Sequence, residues 1–300
     1  MKLNPPTADG PLLAWLLVAL APMNRTRVKQ LLQHGRVVVN GVPTTRFDHP
    51  LKAGDRVEVA RDTAPRGETA NAAERRAGRD KRPAPGKPTL PILHQDAAVV
   101  VIDKPAGLLT VATEAEKTDT AFVRLGEQLK SRVFVVHRLD RDTSGLLLFA
   151  RSDAARDQLQ AGWGAVEKSY LAVVEGTPRP AAGAVENFLL EGKNLRVRAC
   201  RADAPGAKRA VSRYRVVGTK GGFSLVEVVI ETGRKHQIRA HLAGLGCPVI
   251  GDADYGATTN PARRLGLHAR RLAVPHPVTG ERLEVESPLP PELGRVGPFS

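Results

Sequence analysis

Residues 133–150 read VFVVHRLDRDTSGLLLFA and combine two apolar runs with a polar segment between them. The two apolar runs, residues 134–136 and 146–150, are short and predict buried strands. Between them lie charged and hydroxyl side chains, and Gly145 closes the segment. Because two buried strands fix the backbone of the turn between them, its side chains are held in place, as an active site requires.

Asp140 is the candidate catalytic group of this turn. Arg138 and Arg141 flank it in sequence, and nearby positive charge favours the ionised carboxylate. The alternative is a salt-bridged hairpin turn with no chemistry. That interpretation explains poorly why so many charges lie between two strands that must be buried.

The composition indicates a polyanionic partner. The chain has 300 residues, enough for one large and one small domain. It carries 45 Lys and Arg against 31 Asp and Glu, a net charge of +14, and nucleic acid is the simplest partner for such a surplus. The alternative is a basic protein that binds no polyanion.

No metal site and no disulfide are predicted. Cys200 and Cys247 are far apart and match no pattern. His236 and His241 are five residues apart and would not share a helix face, and no cluster has zinc spacing.

The apolar run at residues 12–21 resembles the core of a signal peptide, but no positively charged segment precedes it. The run is also too short to span a bilayer. We therefore expect a cytoplasmic protein without a membrane partner, with this run as the first helix of a small domain.

Residues 11–60 have the order helix, helix, hairpin. Asn24 is a plausible N-cap for a second helix from Arg25 to Gln33, and Asn40-Gly41 is a strong hairpin signal. Four cations surround the second helix: Arg25, Arg27, Lys29 and Arg36. This order resembles an S4-like RNA-binding domain, which implies that these four cations contact RNA. The alternative is a structural subdomain with a basic helix.

Residues 61–89 are predicted to be a flexible basic linker, because they contain almost no large apolar residue. The linker either follows the phosphates of an RNA or acts only as a solvated tether; the tether is the preferred interpretation. A larger domain, residues 90–300, follows.

Two further motifs in the large domain are candidates for the site. A predicted strand at residues 97–102 leads into Lys104-Pro105-Ala106-Gly107, and a later strand carries Lys168 and Tyr170. We also predict a helix capped by Asp153 and an irregular basic segment at residues 181–210, with a two-stranded insertion as the alternative.

The last motif is GRKHQIR, residues 233–239, at the start of a predicted helix. His236 and Arg239 are three residues apart and share a face near the helix N-terminus. A cation there can pair with a carboxylate from another strand. The alternative is an ordinary basic helix start.

Together these motifs resemble those of the RluA-type pseudouridine synthases. The resemblance implies an α+β fold: a large mixed, mainly antiparallel sheet flanked by helices, with a central cleft. It implies that Asp140 is catalytic, that Tyr170 contacts the uracil, and that Arg239 pairs with Asp140. The expected RNA contacts in this domain are Lys104, His137, Arg138, Lys168, Arg234 and His236.

The predicted function is the isomerisation of uridine to pseudouridine in RNA. The reaction has no redox change and loses no group, so no cofactor is expected. Large-subunit ribosomal RNA is the expected substrate, transfer RNA stays open, and a monomer is the default expectation. The rival hypotheses are a non-catalytic RNA-binding assembly factor and a nuclease or glycosidase, which would need a metal or a second acid such as Asp142.

Overall fold

The computed structural model describes residues 3–21, 23, 28–29, 31–32, 35–59, 88–114, 116–192, 196–297 and 299. The chain divides into two compact units, Met1–Arg82 and Pro83–Ser300. Among the helices within these described ranges, none is long and apolar enough to cross a lipid bilayer.

The first unit packs a helix against short strands. Its elements are β1 (Gly10–Pro11), α1 (Leu12–Ala19), β2 (Val37–Val39), β3 (Val42–Thr44), β4 (Pro50–Leu51) and β5 (Val57–Val59). β2 lies between β3 and β5, and β1 pairs with β4. Asn40 and Gly41 join β2 to β3 with φ of 51° and 85°, the positive values that a two-residue hairpin turn requires. The predicted hairpin is confirmed.

The predicted second helix is described only in part. Residues 28–29 and 31–32 are helical, and Val28 and Leu32 are buried in the core of this unit. Lys29 is exposed, with its ammonium 5.7 Å from the centre of the Phe47 ring. Arg36 is half-buried. Asn24, Arg25, Arg27 and residues 61–87 of the predicted linker lie outside the described residues.

The second unit is built on an eleven-stranded sheet. Its strands are β6 (Ile92–Gln95), β7 (Val99–Lys104), β8 (Phe134–Val135), β9 (Ser144–Ala150), β10 (Glu167–Glu175), β11 (Ala182–Glu191), β12 (Val197–Cys200), β13 (Lys208–Lys220), β14 (Phe223–Ile230), β15 (Leu267–Pro275) and β16 (Arg282–Glu286). The order is β12-β11-β13-β14-β10-β15-β9-β7-β6, with β16 on β15 and β8 on β9. β9 and β15 are parallel, and the other neighbours in this sheet are antiparallel. The predicted fold class is confirmed.

Helices cover both faces of the sheet. They are α2 (Ala121–Leu129), α3 (Asp153–Ala161), α4 (Gln237–Gly244) and α5 (Pro291–Gly294). Alternate residues of β7 enter different cores: Val100 and Ile102 pack with Leu125 of α2, whereas Val99 packs with Leu159 of α3. Both faces of β7 are therefore buried, which explains its nearly unbroken apolar sequence.

Two sequence predictions in this unit were wrong. The N-cap of α3 is Ser152, whose hydroxyl accepts a hydrogen bond from the Ala155 N–H, while Asp153 is the first helical residue. Serine is as good a cap as aspartate, so sequence alone did not separate them. The segment predicted to be irregular contains β11 and β12, which pair with each other and confirm the two-stranded alternative.

A close backbone crossing fixes the position of the turn before β9. Gly145 lies opposite Ala269 where β9 meets β15 in parallel, with φ of 107°. A Cβ at this position would lie 2.2 Å from the Ala269 carbonyl oxygen. Only glycine allows this approach. Gly145 therefore lets the turn at residues 138–143 lie against the centre of the sheet, next to β15.

Candidate active site

The turn before β9 and the start of α4 face each other across a cavity of about 310 Å³. We call residues 138–143 the loop wall and residues 233–239 the helix wall. Tyr170, Ile230 and Leu267 form the floor between them. Asp140, Tyr170 and Arg239, which come from three separate motifs, all line this cavity.

The backbone of the loop wall is held by a buried hydroxyl. Thr110 accepts a hydrogen bond from the Leu139 N–H at 3.1 Å and donates one to the Leu139 carbonyl at 2.8 Å. The Thr143 N–H donates to the Asp140 carbonyl at 3.2 Å and closes the turn. The backbone that carries the Asp140 side chain is thus held by hydrogen bonds on both sides.

Lys104 holds the same wall from below. It is fully buried, and its ammonium donates to the carbonyls of Pro105, Leu108 and Arg141 at 3.0, 2.7 and 2.9 Å. The Gly107 N–H also donates to the Arg141 carbonyl, at 2.9 Å. Burial lowers the pKa of Lys104 to about 7, against the opposing effect of nearby carboxylates. The prediction that Lys104 contacts RNA phosphate was wrong, because all three ammonium protons are used inside the protein.

The Asp140 carboxylate faces His236 of the helix wall. About one third of the Asp140 side chain is exposed, and its Oδ2 lies 3.8 Å from Nε2 of His236. His236 is the N-cap of α4, with φ of 52°. A bulky residue rarely adopts this left-handed conformation, which costs about 1–2 kcal/mol, and strained residues of this kind cluster at functional sites.

Arg239 lies in the cavity but binds a carboxylate other than the predicted one. Its Nε and Nη2 donate to the two oxygens of Asp252 at 2.6 and 2.7 Å, and the Asp252 side chain is 1% exposed. Burial lowers the pKa of Arg239, and the bonds to Asp252 outweigh this and raise it. The predicted pairing with Asp140 was wrong, because Asp252 offers a buried two-point acceptor to the planar guanidinium.

Tyr170 is 8% exposed and lies on the floor of the cavity. Burial, and then the charge of Asp140, raise the pKa of its hydroxyl well above the usual value. The phenol therefore keeps its proton at neutral pH. In this state it can stack on a ring or donate a hydrogen bond, but it is a poor base.

Gln237 ties the helix wall to the sheet. Its side-chain oxygen accepts hydrogen bonds from the Thr232 hydroxyl at 2.7 Å and the Arg234 N–H at 3.0 Å. Its amide nitrogen donates to the Val211 carbonyl at 2.9 Å and the Ser212 hydroxyl at 3.0 Å. All four bonds are formed by one buried side chain, so the strand-to-helix turn has a defined shape.

Comparisons with known proteins identify the family to which this chain belongs. A family model described as RNA pseudouridylate synthase matches residues 98–244. Two proteins of Bacillus subtilis (strain 168) are similar: the RNA pseudouridine synthase YhcT, 37% identical over 68% of this chain and 70% of its own, and the RNA pseudouridine synthase YlyB, 32% identical over 91% and 88%. The chain belongs to the RluA-type family of RNA pseudouridine synthases.

A solved structure agrees with this assignment. The structure titled Human RNA Pseudouridylate Synthase Domain Containing 4 is 29% identical, with a TM-score of 0.57, and the match covers 68% of this chain and 90% of that one. The protein is accordingly an isomerase that acts on RNA.

Two residues predicted to bind RNA are engaged within the synthase. Nε2 of His137 accepts a hydrogen bond from the Leu148 N–H at 3.0 Å, and its ring stacks on Trp163 at 4.8 Å. Lys168 is 8% exposed, with its ammonium 5.3 Å from the centre of the Trp163 ring. Burial, and then the charge of Lys168, lower the pKa of His137 to about 3. Lys168 is therefore covered, which contradicts its prediction as an RNA contact. His137 is half-buried with Nε2 already bonded, and its predicted contact with RNA stays a prediction.

Two other predicted RNA contacts of the synthase, Arg138 and Arg234, are exposed. Arg138 is exposed at the loop wall and Arg234 at the helix wall, so both reach the mouth of the cavity. Arg234 donates through Nε to the Arg209 carbonyl at 3.0 Å. Its two terminal nitrogens are not used in that bond. Both remain suited to contact a phosphate or a base.

Three residues that shape the site were given no role from the sequence: Thr110, Asp252 and Tyr255, whose hydroxyl lies 3.1 Å from Nδ1 of His236. A lone threonine after a turn gives no signal that it will support a wall 29 positions later. Asp252 did carry one, because an acid that follows the apolar residues Val249 and Ile250 is placed to be buried and therefore needs a cation. Identifying which cation requires the fold.

Proposed function

We propose that Asp140 is the catalytic carboxylate of this synthase and acts at the sugar of a uridine in large-subunit ribosomal RNA. The observation that carries the proposal is the meeting of Asp140, Tyr170 and Arg239 around one cavity. Its volume of about 310 Å³ is at the small end of the range of roughly 300–1,000 Å³ typical of sites for small ligands. This size suits a single nucleoside.

The reaction breaks the bond between N1 of uracil and C1′ of ribose, turns the base, and joins C5 to the same carbon. C5 then loses its proton and N1 gains one, so the composition of the nucleoside is unchanged. An ionised carboxylate can attack C1′, as in retaining glycosidases, or remove the proton at C2′. Both routes use one carboxylate beside the sugar, and among the described residues that line this cavity Asp140 supplies it. Tyr170, held as a neutral phenol, supports a stacked uracil and donates a hydrogen bond to it.

A base stacked within a helix cannot reach the floor of this cavity, so the target nucleotide is extruded or lies in a loop. Arg138 is exposed at the edge of the loop wall. Its planar guanidinium can stack on neighbouring bases and fill the place of the extruded one.

The first unit supports the choice of a large structured RNA. Its helix and hairpin order resembles an S4-like RNA-binding domain, with Lys29 exposed on the helix and Arg36 beside it. The chain as a whole has a net charge of +14. Such a unit binds phosphate backbone without regard to sequence, and it adds affinity for an extended RNA.

Pseudouridine-specific chemical mapping of total RNA tests the proposal, using cells with and without the protein. We expect one or more pseudouridines of large-subunit ribosomal RNA to disappear without it and to return when it is restored. Loss of transfer-RNA pseudouridines alone would contradict the ribosomal target. An unchanged map of all RNA would contradict the proposed function.

A further inference from the structure

His236 faces the proposed catalytic carboxylate. Its Nε2 lies 3.8 Å from Asp140, while Arg239, the expected partner, is bound to Asp252. A separation of 3.8 Å exceeds a hydrogen bond. Catalytic hydrogen bonds are often long in free enzymes and shorten when substrate binds.

The other ring nitrogen of His236 is held by Tyr255. Nδ1 lies 3.1 Å from the Tyr255 hydroxyl, and the two rings meet edge to face at 5.7 Å. The Tyr255 oxygen accepts a hydrogen bond from the Val197 N–H at 2.9 Å. Because the oxygen is already an acceptor, the hydroxyl proton is free to donate to Nδ1 of His236.

This arrangement favours one tautomer of His236, because the tyrosine proton then has Nδ1 as its acceptor. If Nδ1 accepts the tyrosine proton, the ring carries its own proton on Nε2, the nitrogen that faces Asp140. Burial lowers the pKa of His236, so the ring is neutral at pH 7, although the charge of Asp140 opposes this shift. Burial likewise raises the pKa of Tyr255, which keeps the donating proton in place.

We propose that His236 is a positioning residue for Asp140, with Tyr255 fixing its Nε2–H tautomer so that a neutral donor orients the carboxylate. The inference rests on the proposed role of Asp140. A neutral donor orients a carboxylate without cancelling its charge, so it stays available to attack carbon or remove a proton. A protonated His236 would form an ion pair with Asp140 and suppress it. The charged and titratable groups that face His236 are Asp140, Arg239, Lys235, Asp252 and Tyr255.

The first test needs no RNA. Nitrogen-15 NMR of the full chain labelled at histidine, with His236 assigned by the signal that His236→Gln removes, reports the tautomer directly. We expect the neutral Nε2–H form at pH 7, and a loss of this preference in Tyr255→Phe. Tyr214→Phe is the matched control, because that hydroxyl donates to the Pro180 carbonyl and does not line the cavity. A cationic His236, or the Nδ1–H form, overturns the proposal.

The second test measures single-turnover conversion and RNA affinity separately, on a transcript that carries a uridine assigned by the mapping. His236→Ala is expected to slow conversion by about tenfold to a hundredfold while the Kd stays within about threefold. His236→Gln, which can still donate, should recover part of the rate. A weaker Kd with an unchanged rate would mean that His236 binds substrate and does not position Asp140.

The pH profile gives a third readout. Loss of the tyrosine proton donor makes His236 easier to protonate, so Tyr255→Phe should move the acidic limb of the rate profile up by about half to one pH unit. A limb that coincides with that of Tyr214→Phe contradicts the proposal. Conversion by Asp140→Asn would instead defeat the proposed function, while the NMR result would stand independently.

Discussion

The two walls of the cavity are stabilised by different kinds of interaction. The loop wall is fixed through its backbone, with neutral hydrogen bonds from Thr110 and Gly107 and the buried ammonium of Lys104. The helix wall is fixed through side chains, chiefly the Arg239–Asp252 pair and the contact between His236 and Tyr255.

This difference separates two tasks. The loop wall carries the carboxylate that must be placed accurately, and hydrogen bonds to the main chain hold the backbone from which it extends. The helix wall carries groups whose charge and tautomer determine how that carboxylate behaves. Substitutions that disturb the backbone supports of the loop wall should therefore act on folding, and substitutions in the helix wall should act on both electrostatics and stability.

The largest expected effect is on the loop wall, from Gly145→Ala. The added Cβ would lie 2.2 Å from the Ala269 carbonyl oxygen, so β9 and β15 could not pair at their present separation. We expect a loss of more than about 4 kcal/mol in the free energy of unfolding, measured by urea denaturation.

Gly107→Ala is the matched control for that substitution. Gly107 also has a positive φ, of 83°, but an added Cβ would meet nothing within 4 Å. It should cost only about 1–2 kcal/mol, the penalty for a left-handed alanine. Equal losses in the two variants would show that the close crossing does not fix the loop wall.

The next largest effect is on the helix wall, from Asp252→Ala. This substitution leaves the Arg239 guanidinium buried without its two-point acceptor, and we expect a loss of about 3–5 kcal/mol. Asp254→Ala is the control, because Asp254 is half exposed and 3.6 Å from Arg239, and it should cost less than about 1 kcal/mol. If the denaturation curves of both variants match that of the wild type within error, the Arg239–Asp252 ion pair does not stabilise the helix wall.

The third and smaller effect is a loss of folding stability at low pH. His241 of α4 is buried between Ser212 and Asn187, and burial lowers its pKa to about 4 from 6.5. Between these values the unfolded chain binds a proton that the folded chain does not, so stability is present above about pH 6.5 and falls as the pH drops towards 4.

The contribution of His241 to this acid loss is up to about 3 kcal/mol. The measurement is the free energy of unfolding from pH 8 to about pH 4.5, compared between wild type and His241→Gln. We expect a shallower fall in the variant. Parallel curves would mean that His241 does not carry this proton uptake.

Much of the architecture could be predicted from the sequence, because many of its elements are specified by residues that are neighbours in the chain. The apolar runs on either side of the Asp140 turn had to be buried, and Asn40-Gly41 specifies its hairpin without outside help. The S4-like interpretation of the first unit and the domain boundaries stay predictions. The cap of α3 was misassigned because serine and aspartate are equivalent there.

The candidate site was predicted only up to the point where partners come from distant parts of the chain. Asp140, Tyr170 and Arg239 do share one cavity, but pairing Arg239 with Asp140 overlooked Asp252 as a better acceptor. Lys104 and Lys168 were predicted to contact RNA phosphate because lysine binds phosphate, but both are buried. Whether a cation faces solvent or a set of carbonyls depends on burial, which spacing in sequence does not give.

The most direct test of the account compares Asp140→Asn with Asp142→Asn on the RNA that mapping identifies. Both variants replace a partly exposed carboxylate of the same loop wall with an isosteric amide. We expect Asp140→Asn to bind the RNA with a Kd close to that of the wild type and to form no detectable pseudouridine, while Asp142→Asn retains conversion. Pseudouridine formation by Asp140→Asn at a rate near that of the wild type would contradict the account.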